Sequence, residues 1–164
     1  MIMAQRETNA PKPGSAAWRV IESHCLAVEI HDGPAIYLQG AMGLPETARN
    51  LFAIWWCDAE VCNGGFNQFF ANSTGVLAPE AAEGFRAAGL LECAELVKAA
   101  IKRFPEPYPR DRSARKAALQ VLRLPGEKRQ QWDPFNELDN RYYQAKDRSR
   151  YYERLDEYSE QIAR

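Results

Sequence analysis

The most informative stretch of the sequence is EVCNGGFNQFF, which runs from Glu60 to Phe70. An apolar helical pattern reaches Glu60 and ends at Asn63-Gly64, and we expect Gly64 to take the left-handed conformation that ends helices. Three phenylalanines follow at i, i+3 and i+4 spacing, which places them on one face of a short second helix: Phe66, Phe69 and Phe70. The stretch therefore predicts a sharp corner between two helices.

Helical periodicity continues on both sides of this corner. Apolar side chains recur at three- and four-residue spacing near residues 15–30, 45–63, 79–88, 90–103, 112–123, 133–143 and 151–162. Such spacing is typical of amphipathic helices. Residues 35–38 are the one candidate for a short extended piece. We predict an all-α fold: a single compact domain of about seven or eight helices over residues 15–164, after a flexible tail at residues 1–14.

Composition narrows the possible functions of the chain. Its 164 residues, 46% of them hydrophobic and 26% charged, are typical of a globular protein with one core. The net charge of −1 predicts neither a polyanionic nor a polycationic partner. The segment 110–129 is locally basic, with a net charge of +5 from Arg110, Arg112, Arg115, Lys116, Arg123, Lys128 and Arg129 against two acidic residues.

The cysteines and the N-terminus predict a cytoplasmic protein. The four cysteines form no C-x-x-C pair, and three of them lie on apolar helix faces, so we expect free thiols in a reducing compartment. The first residues include no apolar signal-peptide core. No apolar run approaches the roughly 20 residues of a membrane helix. We therefore expect no membrane contact.

The polar residues of the corner admit two interpretations. Glu60 borders apolar surface beside the turn and needs partners, and the backbone amides of residues 64–66 are natural donors. In one interpretation, polar side chains satisfy backbone groups at a structural corner. In the other, they line a groove for a ligand or a protein partner. The candidate residues are Glu60, Asn63, Gly64, Gly65, Phe66, Asn67, Gln68, Asn72 and Asp139.

Asp139 is the candidate that lies outside the corner stretch. It is four residues after Phe135 and four before Tyr143, so it borders a core face. The simplest expectation is a hydrogen bond or ion pair to a tyrosine or an arginine. If Asp139 faced Glu60, the two carboxylates could serve acid–base chemistry or bind a metal. Because the usual catalytic motifs are absent, we expect no catalytic residue, metal or cofactor.

Four motifs together resemble one bacterial family. They are EVCNGGFNQFFANSTG, AAEGFRAAG, FNELDNRYY and YYERLDEY, and they occur in this order within residues 45–160. They resemble the family named after a DNA-mimic protein of Neisseria, most of whose members have no assigned function. The resemblance implies a mostly helical, often self-associating fold. In the namesake it implies an acidic surface that imitates DNA and occupies a DNA-binding regulator.

We predict a non-enzymatic helical protein-interaction module, such as a small regulator of another bacterial protein, that binds its partner at the corner. A homodimer is compatible with this prediction. One alternative is a DNA-mimic-type inhibitor, which the near-neutral charge disfavours because DNA mimicry rests on dense negative charge. A second is nucleic-acid binding through residues 110–129, which the lack of a recognised nucleic-acid fold disfavours. A third is an enzyme that uses Glu60 and Asp139.

Overall fold

The computed structural model describes residues 11–122 and 133–163, and these residues form eight α-helices and no strand. The helices are α1 (Ala16–His24), α2 (Pro34–Ala41), α3 (Glu46–Ala71), α4 (Ala78–Ala87), α5 (Leu91–Ile101), α6 (Arg112–Val121), α7 (Asn136–Arg148) and α8 (Tyr151–Ser159). Short 3-10 helices follow α3 (Ser73–Leu77) and α8 (Glu160–Ala163). The predicted all-α fold of seven or eight helices is confirmed.

Helix α3 is the centre of the domain. It packs against α1, α4, α6, α7 and α8, so apolar side chains on several of its faces are buried. Leu51, Ile54, Cys57 and Val61 are fully buried in its first part. A helix that is apolar around most of its circumference belongs in the core of a bundle rather than at its surface.

The corner is a kink inside α3 rather than a gap between two helices. The backbone leaves helical geometry at Gly64 (φ −148°, ψ 22°) and Gly65 (φ 75°, ψ 178°). The predicted break is therefore present, but the expectation of a positive φ at Gly64 is wrong, because Gly65 takes that conformation. A positive φ strains residues that have a Cβ, which explains a glycine at position 65.

The phenylalanines after the kink fill the core, as predicted. Phe66, Phe69 and Phe70 are fully buried. The Phe70 ring lies 4.6 Å from the ring of Phe104 and 5.4 Å from that of Phe135. These rings tie the last turn of α3 to the loop after α5 and to the residues before α7.

Two local expectations change in the structure. Residues 35–38 are helical instead of extended, since Pro34 stands in the first turn of α2 and fixes a helix-compatible φ. Helix α7 begins at Asn136, three residues after Asp133, because the Asp133 carboxylate accepts a hydrogen bond from the Phe135 amide and forms a turn first. Neither change moves the corner.

Candidate functional site

Glu60 is held by side chains from beyond the kink. Its carboxylate accepts hydrogen bonds from Gln68 Nε2 at 2.6 Å, Asn72 Nδ2 at 3.0 Å and Thr74 Oγ1 at 3.0 Å. The expectation that backbone amides of residues 64–66 would hold Glu60 is wrong. The kink redirects the chain, so that residues eight to fourteen positions later reach back to one carboxylate.

Asp139 holds the other side of the kink. Its Oδ1 accepts a hydrogen bond of 2.8 Å from the backbone amide of Phe66. A Cβ on Gly65 would lie 2.4 Å from Asp139 Oδ2, so the close approach of this carboxylate also requires glycine there. The expected tyrosine or arginine partner is therefore replaced by the backbone amide that the kink frees.

The environment of Asp139 favours its protonated form. Burial raises the pKa of the carboxyl to about 6, the Phe66 amide opposes that rise, and the charge of Asp133 adds to it. The side chain is buried and no cation is paired with it among the described residues. Asp139 therefore gains or loses its proton near pH 6, well above the range of an ordinary surface aspartate.

The two carboxylates have separate partners and are not hydrogen-bonded to each other. Glu60 is bound by three side-chain donors, and Asp139 is bound by one backbone amide. Within residues 11–122 and 133–163, no group of three histidine, cysteine, aspartate or glutamate side chains is arranged to hold a metal ion. The geometry therefore offers no support for a joint acid–base pair of Glu60 and Asp139.

Two amides remain available at the surface of the corner. Asn63 is exposed and Asn67 is half-buried, and Gly64 between them is exposed. The side-chain amides of Asn63 and Asn67 make no hydrogen bond with any described residue. Of the predicted site, Gly65 and Phe66 are buried, while Gln68 and Asn72 are committed to Glu60.

Asp58 is a buried charged residue that the sequence reasoning missed. Its carboxylate is fully buried and accepts hydrogen bonds from Tyr142 Oη at 3.0 Å and Lys146 Nζ at 2.7 Å. Burial is the largest single influence and lowers the pKa of Lys146, but the charge and hydrogen bond of Asp58, together with Cys62 and Tyr152, outweigh it, so the pKa is raised. Tyr142 and Lys146 are four residues apart and therefore share one helix face. Two donors on one face of a helix indicate a shared acceptor, which here is Asp58.

The basic segment hydrogen-bonds to the end of α3. Arg115, which is among the residues predicted to bind nucleic acid, is therefore not available for that role. Arg115 is fully buried and donates to the backbone carbonyls of Phe70 (2.9 Å), Asn72 (2.8 Å) and Arg110. Because its guanidinium is enclosed by carbonyls, Arg115 is not available to a phosphate. Burial lowers its pKa.

The neighbours of Arg115 are also engaged. Arg110 forms a bidentate pair with Glu80 at 2.8 and 2.9 Å, and Arg112 donates to the carbonyl of Ala71 at 2.9 Å. Lys116 is exposed. Arg123, Lys128 and Arg129 lie outside the described residues. In residues 110–122, the three arginines therefore form hydrogen bonds or ion pairs with other residues of this chain.

The cysteines are free thiols, as predicted: Cys25, Cys57 and Cys93 are buried, and Cys62 is half-buried. Burial raises the pKa of Cys25, Cys62 and Cys93 to about 12. A thiol with so high a pKa is not a nucleophile at neutral pH. These cysteines act as small apolar core residues.

Comparison with known proteins identifies the family. No described helix combines the length and the apolar character needed to cross a bilayer. No curated protein and no solved structure gave a significant match. The family model described as DMP19-like protein matches residues 42–162, well over half of the chain. This range contains the kink, Asp139 and the Glu60 cluster, which is Glu60 with its donors Gln68, Asn72 and Thr74. The chain belongs to the DMP19-like protein family.

Proposed function

We propose that this chain is a protein-interaction module, which acts by binding another protein through the outer surface of the α3 kink. The observation that carries the proposal is the state of the polar groups there. Glu60 and Asp139 are occupied by internal donors, whereas the amides of Asn63 and Asn67 face outward without a partner among the described residues. Family membership supports a role in protein interaction.

The rigidity of the corner favours recognition. Three donors hold Glu60, and Arg115 binds the carbonyls of Phe70 and Asn72, so both sides of the kink are fixed. A surface that is already ordered loses little conformational entropy on binding. A side-chain amide carries both a donor and an acceptor, which suits it to a partner's backbone.

The charge pattern supports recognition by shape and hydrogen bonds rather than by DNA mimicry. Many surface carboxylates are paired with a cation, as in Glu83–Arg86, Glu92–Arg148, Glu95–Lys98 and Glu153–Arg150. Paired charges of this kind do not produce the continuous negative field of a duplex. We therefore expect the complex to survive moderate salt.

A tagged pull-down from the native cells, followed by mass spectrometry and titration with the purified partner, tests this proposal. The wild type is compared with an Asn63→Ala, Asn67→Ala double variant. A Gln120→Ala, Gln161→Ala variant is the matched control, because both glutamines are exposed and distant in sequence. We expect a partner that binds the wild type and the control but binds the corner variant about tenfold or more weakly, the loss of two hydrogen bonds.

Equal binding by all three proteins would place the interface elsewhere and contradict the role of the corner. Failure to capture any protein, even after chemical cross-linking, would contradict the interaction module itself. Complete loss of binding in 0.3 M salt would instead favour the DNA-mimic mode.

A further inference from the structure

A second surface of the molecule is a groove at the opposite end of the first part of α3. It has a volume of about 560 Å³ and is lined by residues from the end of α2 and from the first turns of α3 and α4, among them Leu38, Met42, Glu46, Arg49, Glu80 and Glu83. Glu46 precedes Asn63 by 17 positions, which corresponds to about 25 Å along a helix axis. The groove is therefore distinct from the corner surface.

One wall of the groove is apolar and exposed. Met42 is 79% exposed and Leu38 is 42% exposed, and Ile36 on the same helix is 46% exposed. Single exposed apolar side chains are ordinary on protein surfaces, but several beside a concave site mark an interaction surface. Because Leu38 and Met42 line the cavity itself, they offer the main apolar contact for an occupant.

The polar part of the lining is mainly acidic. The lining includes three glutamates and one arginine. Glu80 lies against Arg110 in a bidentate pair, whereas Glu46 is exposed and forms no ion pair with a described residue. Glu83 pairs with Arg86 at the surface, with both side chains about half exposed. Such exposed pairs are worth at most about 1 kcal/mol, so Glu83 can exchange Arg86 for a partner's cation.

We propose that this groove docks a segment of a protein partner that has a long apolar side chain flanked by lysine or arginine. The apolar side chain packs on Leu38 and Met42, and the cations meet Glu46 and Glu83 at the rim. Charge complementarity selects this occupant over an acidic segment, since Glu46 has no ion-pair partner among the described residues and Glu83 has only the exposed Arg86, against the single cation Arg49 in the lining. An amphipathic helix with these side chains on one face satisfies both requirements.

A fluorescence-anisotropy titration with labelled peptides tests the proposal. The probe is a 14-residue helical peptide of leucine and lysine, and the comparison peptides replace each lysine by glutamate or each leucine by serine. We expect wild-type protein to bind the leucine–lysine peptide, and to bind both comparison peptides about tenfold or more weakly. Burial of one leucine or methionine side chain is sufficient for a difference of that size.

Two pairs of protein variants locate the binding. Leu38→Ser with Met42→Ser should weaken binding about tenfold or more, whereas Leu91→Ser with Val121→Ser should not, although these residues are also exposed, at 61% and 84%. Glu46→Gln should weaken binding and reduce its salt dependence, whereas Glu137→Gln, an exposed glutamate on α7, should leave both unchanged. All four positions of the serine variants are exposed, so these proteins should fold normally, and circular dichroism would verify that they do.

Equal binding of the lysine and glutamate peptides would overturn the proposal, and so would unchanged binding after the change of Leu38 and Met42. The Asn63→Ala, Asn67→Ala variant retains the groove, so it should bind the peptide like the wild type. The failure of one proposal is therefore distinguishable from the failure of the other.

Discussion

Helix α7 contacts α3 at both ends of α7. Each contact contains a buried carboxylate, and the two carboxylates have different partners. In the first turn of α7, Asp139 meets the kink and has one backbone amide as its partner. In the last turn, Lys146 reaches Asp58 at 2.7 Å, and Tyr142 binds the same carboxylate. The first carboxylate is buried without a cation and the second with one. The difference shows that one helix pair can combine a pH-sensitive contact with an ion-paired one.

The largest expected effect comes from breaking the charged end. Asp58→Ala leaves Lys146 and the Tyr142 hydroxyl without their shared acceptor in a buried site, and should lower the free energy of unfolding by about 4 kcal/mol. Urea denaturation measures this change. The control is Asp58→Leu with Lys146→Met, which replaces the pair by apolar side chains. We expect the double variant to be more stable than Asp58→Ala, and a double variant that is no better would contradict the ion-pair interpretation.

The second effect comes from the kink at the other end. Gly65→Ala adds a Cβ at a residue with φ 75° and places it 2.4 Å from Asp139 Oδ2. Backbone strain and the displaced carboxylate should together cost about 3 kcal/mol of unfolding free energy. Gly64→Ala is the comparison variant, because its φ of −148° suits alanine and its Cβ meets only the Gln68 side chain, so its cost is limited to weakening one of the three donors to Glu60. Thermal melting should rank Gly65→Ala below Gly64→Ala, and the reverse order would refute the assigned geometry.

A pH series sharpens the comparison between the two carboxylates. Burial raises the pKa of Asp139 to about 6 in the folded protein, above the value of roughly 4 for an unfolded aspartate. The folded state therefore binds the proton more tightly, so this contribution to stability is complete below about pH 4 and is lost as the pH rises through 6. We expect the loss to be about 2 kcal/mol. Asp139→Asn cannot ionise and should lack this component in urea titrations between pH 4 and 7, whereas parallel curves for the two proteins would contradict the raised pKa.

The smallest effect concerns Glu60, whose three donors come from residues after the kink rather than from α7. Glu60→Gln preserves the shape of the side chain but removes the charge that three donors share, so we expect a loss of about 1 kcal/mol. Gln68→Ala, which removes one of those donors, is the comparison variant and should cost a similar amount. A loss in Glu60→Gln as large as that in Asp58→Ala would mean that the cluster supports the whole fold rather than the kink alone.

Much of the architecture could be predicted from local pattern. The stripes of apolar residues predicted helices that the structure contains, and Gly89, with φ 75°, follows the end of α4. The break near Gly64 followed from the Asn63-Gly64 pair, and the burial of the three phenylalanines followed from their spacing. These features depend on contacts between residues three or four positions apart, which a sequence displays directly.

The partners of the polar residues could not be predicted in this way. Glu60 borders a turn in the sequence, but side chains beyond the kink bind it. Arg115 stands in a basic run typical of a solvated face, yet it is fully buried among backbone carbonyls. Asp58 shows no local sign of the lysine that pairs with it 88 positions later.

The sequence alone therefore predicted every described helix except α2, the position of the kink and the resemblance to a family, since each rests on local residue pattern or on motif order. Only the tertiary structure decided that Gly65 rather than Gly64 has the positive φ, because the constraint comes from Asp139 on another helix. It also decided which polar side chains, such as Glu60, hydrogen-bond inside the protein and which, such as Asn63, have no such bond to a described residue. Hydrogen-bond satisfaction depends on packing between distant segments, and no periodicity in the chain records it.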